Sequence, residues 1–366
     1  MNTPSPRDNY SVGVIGCGHP LGAPGSTGFG MGHRHMTAFA KTGRCRLAGA
    51  ANRTVSKAEA FVEVHGPDAP VFGDYREMLH AVRPDIVSIC LWTPLHEEAV
   101  LAAVEVRPKL IFCEKPIATH WDAALRMHEA CVKAGIVLAY NHQRRFNRPL
   151  LKAKELLEDG AIGPLQRIEA AWRDLGDTGS HAVDMMFYFN DDVPAEWVLG
   201  QIDMRGANQV FGHLHAGQGL AQMRFANGVR GLYQCGHQHE ELGCLVRLIG
   251  EDGLLEILQE EPWLRLRRYG HGDWEAIDTG ETIHDDAGIE RAVAHVLESM
   301  EAGRESELDS ARALRPTEVL FAVHESARRR ARIDLPLPPG PCALLGMLES
   351  GELSLEDEAK EVFGGG

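Results

Sequence analysis

The sequence predicts an α/β fold with two domains: a doubly wound parallel sheet, followed by an α+β domain built on a large, open, mostly antiparallel sheet. Three observations support this prediction. Short apolar runs alternate with helical patterns from Ser11 to about Tyr140. Beyond Gly160, a series of strand-like segments replaces that alternation. The chain also has 366 residues, more than the size at which a single hydrophobic core usually stops growing.

The N-terminal elements follow from the alternation of apolar and amphipathic segments. Strands are predicted at 12–15, 46–51, 86–92, 109–113 and 136–140, and helices at 33–42, 56–64, 96–106 and 119–134. Ser56 to Glu59 and Thr119 to Asp122 have capping-box spacing, which marks two of the helix starts. Because the helices lie between successive strands, the strands are expected to run parallel.

The second half of the chain changes to helices followed by hairpins. Helices are predicted at 150–157, 181–189, 288–302 and 316–332, and hairpins at 220–235 and 247–258. The first hairpin contains Asn227-Gly228, a favoured two-residue turn. We therefore expect a parallel-sheet domain at 1–141, an α+β domain at 142–337 and a loosely attached acidic tail at 338–366.

Composition excludes several classes of protein. The net charge of −15 argues against a nucleic-acid partner, because binding phosphates requires concentrated positive charge. No run approaches the roughly 18 apolar residues of a membrane span, and the N-terminus lacks the apolar core of a signal peptide. No two of the eight cysteines have CxxC spacing, so no zinc ribbon is predicted. A cytoplasmic protein is expected.

A glycine-rich turn follows the first strand. Gly16 permits a tight turn and Gly18 lets a pyrophosphate approach, but Leu21 stands where a third glycine is expected. We interpret Gly32 as that third glycine, displaced by an insertion spanning His19 to Gly30. Helix amides at this point would bind a phosphate. The alternative is a strand, a flexible glycine loop and a helix without a ligand.

The end of the second strand indicates which coenzyme binds. NAD sites normally carry an acidic residue there, whereas this chain has Asn52, Arg53 and Thr54. A guanidinium pairs with a 2′-phosphate and stacks on adenine, so the sequence favours NADP over NAD. An exposed arginine in a turn, with NAD as coenzyme, is the alternative.

Glu114-Lys115-Pro116 ends another apolar strand. Ligands of open parallel sheets bind outside the carboxyl ends of the strands. A lysine in this position would hydrogen-bond a substrate hydroxyl and favour loss of its proton, and the proline would hold it rigidly. A strand that ends in a polar turn is the structural alternative.

The chain resembles the glucose–fructose oxidoreductase, inositol dehydrogenase and MocA family over roughly residues 10 to 335. Four stretches carry the resemblance in order, namely Val14 to Gly18, Thr93 to His96, Glu114 to Pro116, and Asp177 to His181 with Asp184. The resemblance implies a Rossmann domain that binds NAD(P) and a second domain whose sheet holds a sugar or polyol against the nicotinamide.

The resemblance also assigns roles to single residues. Lys115 would hydrogen-bond the reacting hydroxyl, His181 would exchange its proton, and Asp177 would orient substrate or base. A helix cap at Asp177 and a core histidine at His181 are the structural alternatives. Arg145 would bind substrate or support the domain junction. The remaining cofactor contacts would come from Thr93, Pro94, His96 and Glu114.

The expected function is hydride transfer between NAD(P) and a secondary alcohol or ketone of a sugar, cyclitol or related polyol. A glycoside-cleaving enzyme that oxidises its substrate transiently is one alternative, motivated by the inserted loop. A nucleotide-binding sensor without chemistry is another, motivated by the interrupted glycine motif. The chain also lacks the glycine cluster that often precedes the catalytic aspartate in the family, which leaves the shape of the pocket open.

Two surface features complete the expectations. His213 with His215, and His237 with His239, place paired imidazoles on one face of a strand, but a polar face or subunit contact is favoured over a zinc site. No metal is therefore predicted. An open sheet leaves an apolar face, and Leu232, Tyr233 and Leu245 are expected to join a homodimer or homotetramer there.

Overall fold

The computed structural model describes residues 9–20, 30–237 and 239–355. Contacts divide the chain into two compact units. The first unit contains Met1–Ala118, Ala123–Gln143 and Asp286–Ser310, and the second contains Thr119–Asp122, Arg144–Asp285 and Ala311–Gly366. This division differs from the three consecutive segments expected from the sequence, because residues 286–310 return to the first unit.

The helices of the described residues are α1 Met31–Lys41, α2 Val55–His65, α3 Tyr75–Val82, α4 His96–Val106, α5 Trp121–Ala134, α6 Arg148–Glu158, α7 Asp177–Phe189, α8 Ala287–Glu301, α9 Ser310–Arg329 and α10 Ala343–Glu349. The strands are β1 Tyr10–Ile15, β2 Cys45–Ala51, β3 Val71–Phe72, β4 Ile86–Ile89, β5 Leu110–Cys113, β6 Val137–Tyr140, β7 Leu165–Trp172, β8 Ala195–Asp203, β9 Asn208–Val210, β10 His213–His215, β11 Gln218–Phe225, β12 Arg230–Cys235, β13 Val246–Gly250, β14 Gly253–Ile257, β15 Leu264–Arg268, β16 Glu275–Ile277 and β17 Ile333–Asp334.

The first unit is built on a six-stranded sheet. Its strand order is β3-β2-β1-β4-β5-β6, and each neighbouring pair is parallel. The predicted doubly wound sheet is therefore confirmed. The order reverses between β1 and β4, the point at which ligands of such sheets bind beyond the carboxyl ends.

The prediction that a capping box at Ser56 starts the second helix is wrong. Helix α2 begins at Val55, and the side chain of its N-cap residue, Thr54, makes no capping hydrogen bond.

Helix α8 belongs to the first unit, although the sequence placed it in the second domain. It packs against α1, and Arg44 forms an ion pair with Glu301 at 2.8 Å. The chain that follows α8 then reaches β6, where Tyr140 donates its amide to Leu308 O at 3.0 Å. The return of residues 286–310 thus completes the packing of the first unit.

The second unit is built on a nine-stranded sheet of order β16-β15-β14-β13-β7-β12-β11-β8-β17. Only the β7–β12 pair within this sheet is parallel, so the predicted open, mostly antiparallel sheet is confirmed. Helix α7 packs on β7 and β12, and every residue from Gly179 to Phe189 is buried. The core lies between this helix and one face of the sheet.

The hairpin of β11 and β12 shows which side chains face that core. Tyr233 and Leu245 are fully buried, so their predicted place on an exposed face is wrong. Leu232 points the opposite way, in the same cross-strand row as Leu199 and Gln222. The predicted two-residue turn has three residues, because Gly228 N bonds to Phe225 O and Phe225 N bonds to Val229 O.

The predicted tail is better attached than expected up to residue 355. Leu344 and Met347 of α10 are buried, and Leu344 joins a small cluster with Met204 and Ala216. Gly340 N also donates to Asp122 Oδ1 at 2.9 Å. The sequence did not predict these apolar contacts, because the surrounding acidic residues are typical of a solvent-exposed tail.

Candidate functional site

The turn after β1 contains two glycines with left-handed backbone conformations. Gly16 and Gly18 have φ values of 90° and 65°, a region in which glycine is favoured. A side chain on Gly32 would place Cβ 2.6 Å from Gly16 O, so α1 approaches the turn as a third glycine allows. The inserted residues 21–29 lie outside the described residues.

Asn52 ties the glycine turn to the end of β2. Its Oδ1 accepts from Cys17 N at 3.2 Å, and its Nδ2 donates to Thr54 O at 2.9 Å. Arg53 and Thr54 are both exposed. Asn52 therefore fixes the turn, whereas the Arg53 guanidinium is available to a ligand at the carboxyl end of β2.

In the Thr93 to His96 segment, both end residues are buried, but of their side chains only that of His96 has hydrogen-bond partners in the described part of the chain. Thr93 is buried, and its hydroxyl has no hydrogen-bond partner among the residues that the structure describes. His96 is buried as well, with ring nitrogens 3.2 Å from Ile117 O and 3.0 Å from Leu91 O. Burial lowers the pKa of His96. His96 therefore joins two loops of the backbone, while Pro94 precedes it in a short 3-10 turn.

Lys115 follows a buried polar network at the end of β5. Glu114 Oε1 lies 2.8 Å from both His35 Nε2 and Asn141 Nδ2, and Glu114 Oε2 accepts from Lys115 N at 3.2 Å. Cys90 Sγ lies 3.2 Å from the other ring nitrogen of His35. Burial opposes the charged imidazole, but Cys90 and Glu114 outweigh it and raise the pKa of His35 to about 10.

This network fixes the backbone from which Lys115 projects. The Lys115–Pro116 peptide bond is cis, and the lysine side chain is half-buried. Glu114 was assigned to the cofactor by resemblance, but its carboxylate is engaged within the protein. Its contacts instead support a positioning role for Glu114 beneath Lys115.

Helix α7 places Asp177 and His181 one turn apart on the same side. His181 is buried, and its ring centroid lies 6.2 Å from that of Trp172. The capping role belongs to Asp174, whose Oδ1 accepts from the amides of Gly176, Asp177 and Thr178. Because Asp174 caps the helix, the carboxylate of Asp177 is not required for that purpose.

Arg145 lies in the interior of the second unit. It is 1% exposed, and its guanidinium makes paired hydrogen bonds with Asp184 and Asp192 at 2.8–3.1 Å. Both carboxylates are buried too. These contacts favour the structural alternative for Arg145 over a substrate contact.

Sequence reasoning missed Asp174 and Arg144. Asp174 precedes α7 with spacing to Asp177 that resembles a capping motif, a local signal that was present in the sequence. Arg144 lies with its Cζ 5.0 Å from the centroid of the Trp172 ring. Nothing in the local sequence separates the environment of Arg144 from that of Arg145.

The predicted histidine pairs fall in different elements, with His213 and His215 in β10 and His239 in a short 3-10 turn. No group of three or more potential ligands lies together in the described part of the chain. His213 and His215 pack edge to face with centroids 4.5 Å apart in β10. Burial and the nearby histidines 215, 324 and 120 lower the pKa of His213 to about 2. His213 is therefore a neutral, packed side chain. Among the described helices, none is long and apolar enough to cross a bilayer.

Comparison with known families and curated proteins identifies relatives of part of the chain. The model for an oxidoreductase family with an NAD-binding Rossmann fold matches residues 11–142. The chain is 31% identical over 180 residues to an inositol 2-dehydrogenase/D-chiro-inositol 3-dehydrogenase of Shouchella clausii, covering 48% of this chain and 47% of the relative. It is 32% identical over 131 residues to a D-glucoside 3-dehydrogenase of Escherichia coli, covering 36% and 37%. These matches span about half or less of each relative.

Solved structures extend the similarity of fold to both units. A levoglucosan dehydrogenase in complex with NADH and L-sorbose matches with a TM-score of 0.75 at 18% identity, covering 90% of this chain and 100% of that one. The WlbA dehydrogenase of Bordetella pertussis, in complex with NADH and UDP-GlcNAcA, matches with a TM-score of 0.71 at 20% identity, covering 92% and 100%. At these identities the matches establish the shared fold.

Proposed function

We propose that this chain is an NAD(P)-dependent oxidoreductase of the glucose–fructose oxidoreductase, inositol dehydrogenase and MocA family that acts on a sugar, cyclitol or related polyol. Hydride would pass between the nicotinamide and a secondary alcohol or ketone. The observation that carries the proposal is the placement of Asp177 and His181 on one side of α7 in the second unit. The glycine turn and the supported Lys115 of the first unit add to it.

The proposed chemistry needs a proton acceptor and a hydrogen-bond donor. The bound nicotinamide would accept the hydride. As the carbinol carbon is oxidised, its hydroxyl must lose a proton, and imidazole is the side chain that titrates nearest to neutral pH. His181 would take this proton, with Asp177 orienting the base or the substrate. Lys115 would donate a hydrogen bond to the oxygen and stabilise its developing negative charge.

The function is tested by assaying the full chain with NADP and NAD against myo-inositol, glucosides, pentoses and the matching keto-sugars. Formation or consumption of reduced nicotinamide with at least one of these substrates is the expected result. Tight coenzyme binding without turnover across the whole panel would favour a sensor and contradict the proposal.

The proposed coenzyme is NADP, with NAD as the alternative. Arg53 is exposed at the end of β2, where no carboxylate follows the strand to repel a 2′-phosphate. Arg53→Ala is therefore expected to weaken NADP binding by roughly tenfold or more, as loss of a charge-assisted hydrogen bond implies, and to change NAD binding little. Calorimetric titration of both coenzymes measures this difference. Arg83→Ala, which removes another arginine from the same unit, is the control.

The same titrations also distinguish two ways in which the Arg53 guanidinium could contact the coenzyme, namely pairing with a 2′-phosphate and stacking on adenine. If NAD binds more tightly to the wild type and Arg53→Ala weakens both coenzymes equally, the arginine stacks on adenine and the phosphate assignment fails.

We also propose assembly into a homodimer or homotetramer through the open face of the nine-stranded sheet. Leu199 and Leu220 are 45% and 48% exposed on that face, and Leu232 lies beside them. Leu220→Asp is expected to weaken association at least tenfold, because it places a charge in an apolar interface. Sedimentation equilibrium measures the change, and Val132→Asp on α5 is the control. A wild type that is monomeric at micromolar concentration contradicts the proposal.

A further inference from the structure

Two adjacent arginines of the second unit have different environments. The guanidinium of Arg145 donates hydrogen bonds to two buried carboxylates, which neutralise its charge. Arg144 forms no ion pair with a carboxylate among the described residues, and its Nε has no partner there although it is shielded from solvent. Arg144 is half-buried, and charges that are shielded from solvent in proteins are normally paired. The charge of Asp177 acts on Arg144, but no carboxylate in the described part of the chain forms an ion pair with it.

The contacts that Arg144 does make leave part of its donor capacity unused, including the Nε donor. Its Nη1 donates to Ile283 O, and both terminal nitrogens lie 3.4 Å from His284 Nδ1. A guanidinium has five N–H donors in a planar fork. Burial lowers the pKa of Arg144 to about 10, and the charge of Asp177 acts in the opposite direction. Arg144 is therefore a cation that a second negative group would stabilise.

Arg144 lies near the residues proposed for proton transfer. Its Cζ is 5.0 Å from the centroid of Trp172, whose ring also contacts His181. Arg173 is the next residue after Trp172. Burial lowers the pKa of His284, and the charges of Arg144 and Arg173 lower it further. Two guanidinium groups thus act on the same imidazole beside the end of β7.

An open space continues from this position. Arg173 lines a cavity of about 380 Å³ together with His237, His239, Glu240 and three glycines. Its lining lies at the carboxyl ends of the parallel strands β7 and β12. Arg173 and Glu240 both line the cavity, so a substituent that extends from the proposed reaction site would have a guanidinium and a carboxylate as its charged neighbours.

We propose that Arg144 forms an anion subsite and that the substrate carries a carboxylate or phosphate group in addition to its reacting alcohol. This inference rests on the proposed function and narrows its substrate class to acidic or phosphorylated sugars and polyols. The guanidinium fork matches either group in a bidentate manner, which fixes the orientation of the bound molecule. Arg173 adds long-range attraction from the rim of the cavity.

The test is equilibrium binding to the full chain saturated with its coenzyme, measured by calorimetry. D-Gluconate and D-glucose 6-phosphate are the anionic probes, and D-glucose is the neutral one. We expect at least one anionic probe to bind roughly tenfold or more tightly than glucose. A hydrogen bond to a charged group contributes enough binding free energy to change the affinity by about that factor. Comparing gluconate with the phosphate distinguishes the two sources of charge.

Arg144→Gln is expected to abolish the preference, weakening the anionic probe roughly tenfold to a hundredfold and glucose less than twofold. Arg144→Lys retains the charge but loses the fork, so it should keep part of the preference. Arg230→Gln, which removes an exposed arginine from the other end of β12, is the matched control. Thermal denaturation verifies that each variant is folded.

Two outcomes overturn the subsite: a wild type that binds no anionic probe more tightly than glucose, or an Arg144→Gln variant that weakens both kinds of probe equally. The latter result, with a fall in kcat for neutral substrates, would show that Arg144 only orients Asp177. Hydride transfer with neutral polyols and no preference for anions would leave the proposed function intact. An anion preference without hydride transfer would retain the subsite and contradict the function.

Discussion

Lys115→Ala and His181→Ala are each expected to lower kcat/KM by roughly a hundredfold or more, the usual contribution of a group that transfers a proton or stabilises a developing charge. His181 lies on a buried, well-packed helix, and Lys115 projects from backbone held by Glu114. The proposed roles act on the reacting oxygen, so the loss should appear mainly in kcat. Initial rates with the substrate identified in the assay panel measure it.

The matched controls are Lys133→Ala and His80→Asn, which change exposed side chains of the first unit. Both should retain wild-type kinetics. Coenzyme affinity distinguishes loss of the proton-transfer step from loss of the folded protein. A folded His181→Ala protein should still bind coenzyme as tightly as the wild type. Rates near the wild type in either alanine variant would exclude that residue from the proton-transfer step.

Arg145→Met is expected to lower the free energy of unfolding by about 3–5 kcal/mol, the cost of leaving buried carboxylates without their partner. The guanidinium bonds to both Asp184 and Asp192, and all three side chains are at most 3% exposed. Arg328→Ala, which breaks an exposed ion pair with Glu325, should cost no more than about 1 kcal/mol. Urea denaturation compares the two. A loss below about 1 kcal/mol for Arg145→Met would mean that the carboxylates find other partners.

The same cluster predicts a dependence of stability on acid. Burial alone would raise the pKa of Asp192, but hydrogen bonds from Arg145 and Arg312 lower it to about 2. A depressed carboxyl pKa stabilises the fold above the unfolded value of about 3.9, and that contribution disappears as the pH falls towards 2. The wild type should therefore lose more stability between pH 4 and pH 2 than Arg145→Met does.

The architecture of the first unit was predictable because its signals are local. Each strand is a short apolar run followed by an amphipathic helix, and Gly16 and Gly18 stand directly after β1. Gly32 was identifiable despite the insertion because a helix close to the turn tolerates no Cβ. The order of the nine-stranded sheet was not predictable in this way. Strand β7 pairs with β12 and β13, and those partners are far away in the sequence.

The candidate site shows the same distinction between local and distant information. The spacing of Asp177 and His181 alone places them on one side of a helix. By contrast, Arg144 and Arg145 are neighbours, and only Asp184 and Asp192 decide which of them is neutralised. Tyr233 and Leu232 are likewise adjacent on one strand, and the position of α7 determines which of the two is buried.

The return of residues 286–310 to the first unit has a consequence for synthesis of the chain. A nascent polypeptide that has emerged only as far as Gln143 holds all six strands of the parallel sheet, but the surface of α1 that receives α8 is still uncovered. The backbone partner of Tyr140 is missing as well. Folding of domains during translation usually proceeds from the N-terminus. Here the first unit is completed only after the segment 144–285 has been translated, so that segment is an insertion within a discontinuous domain.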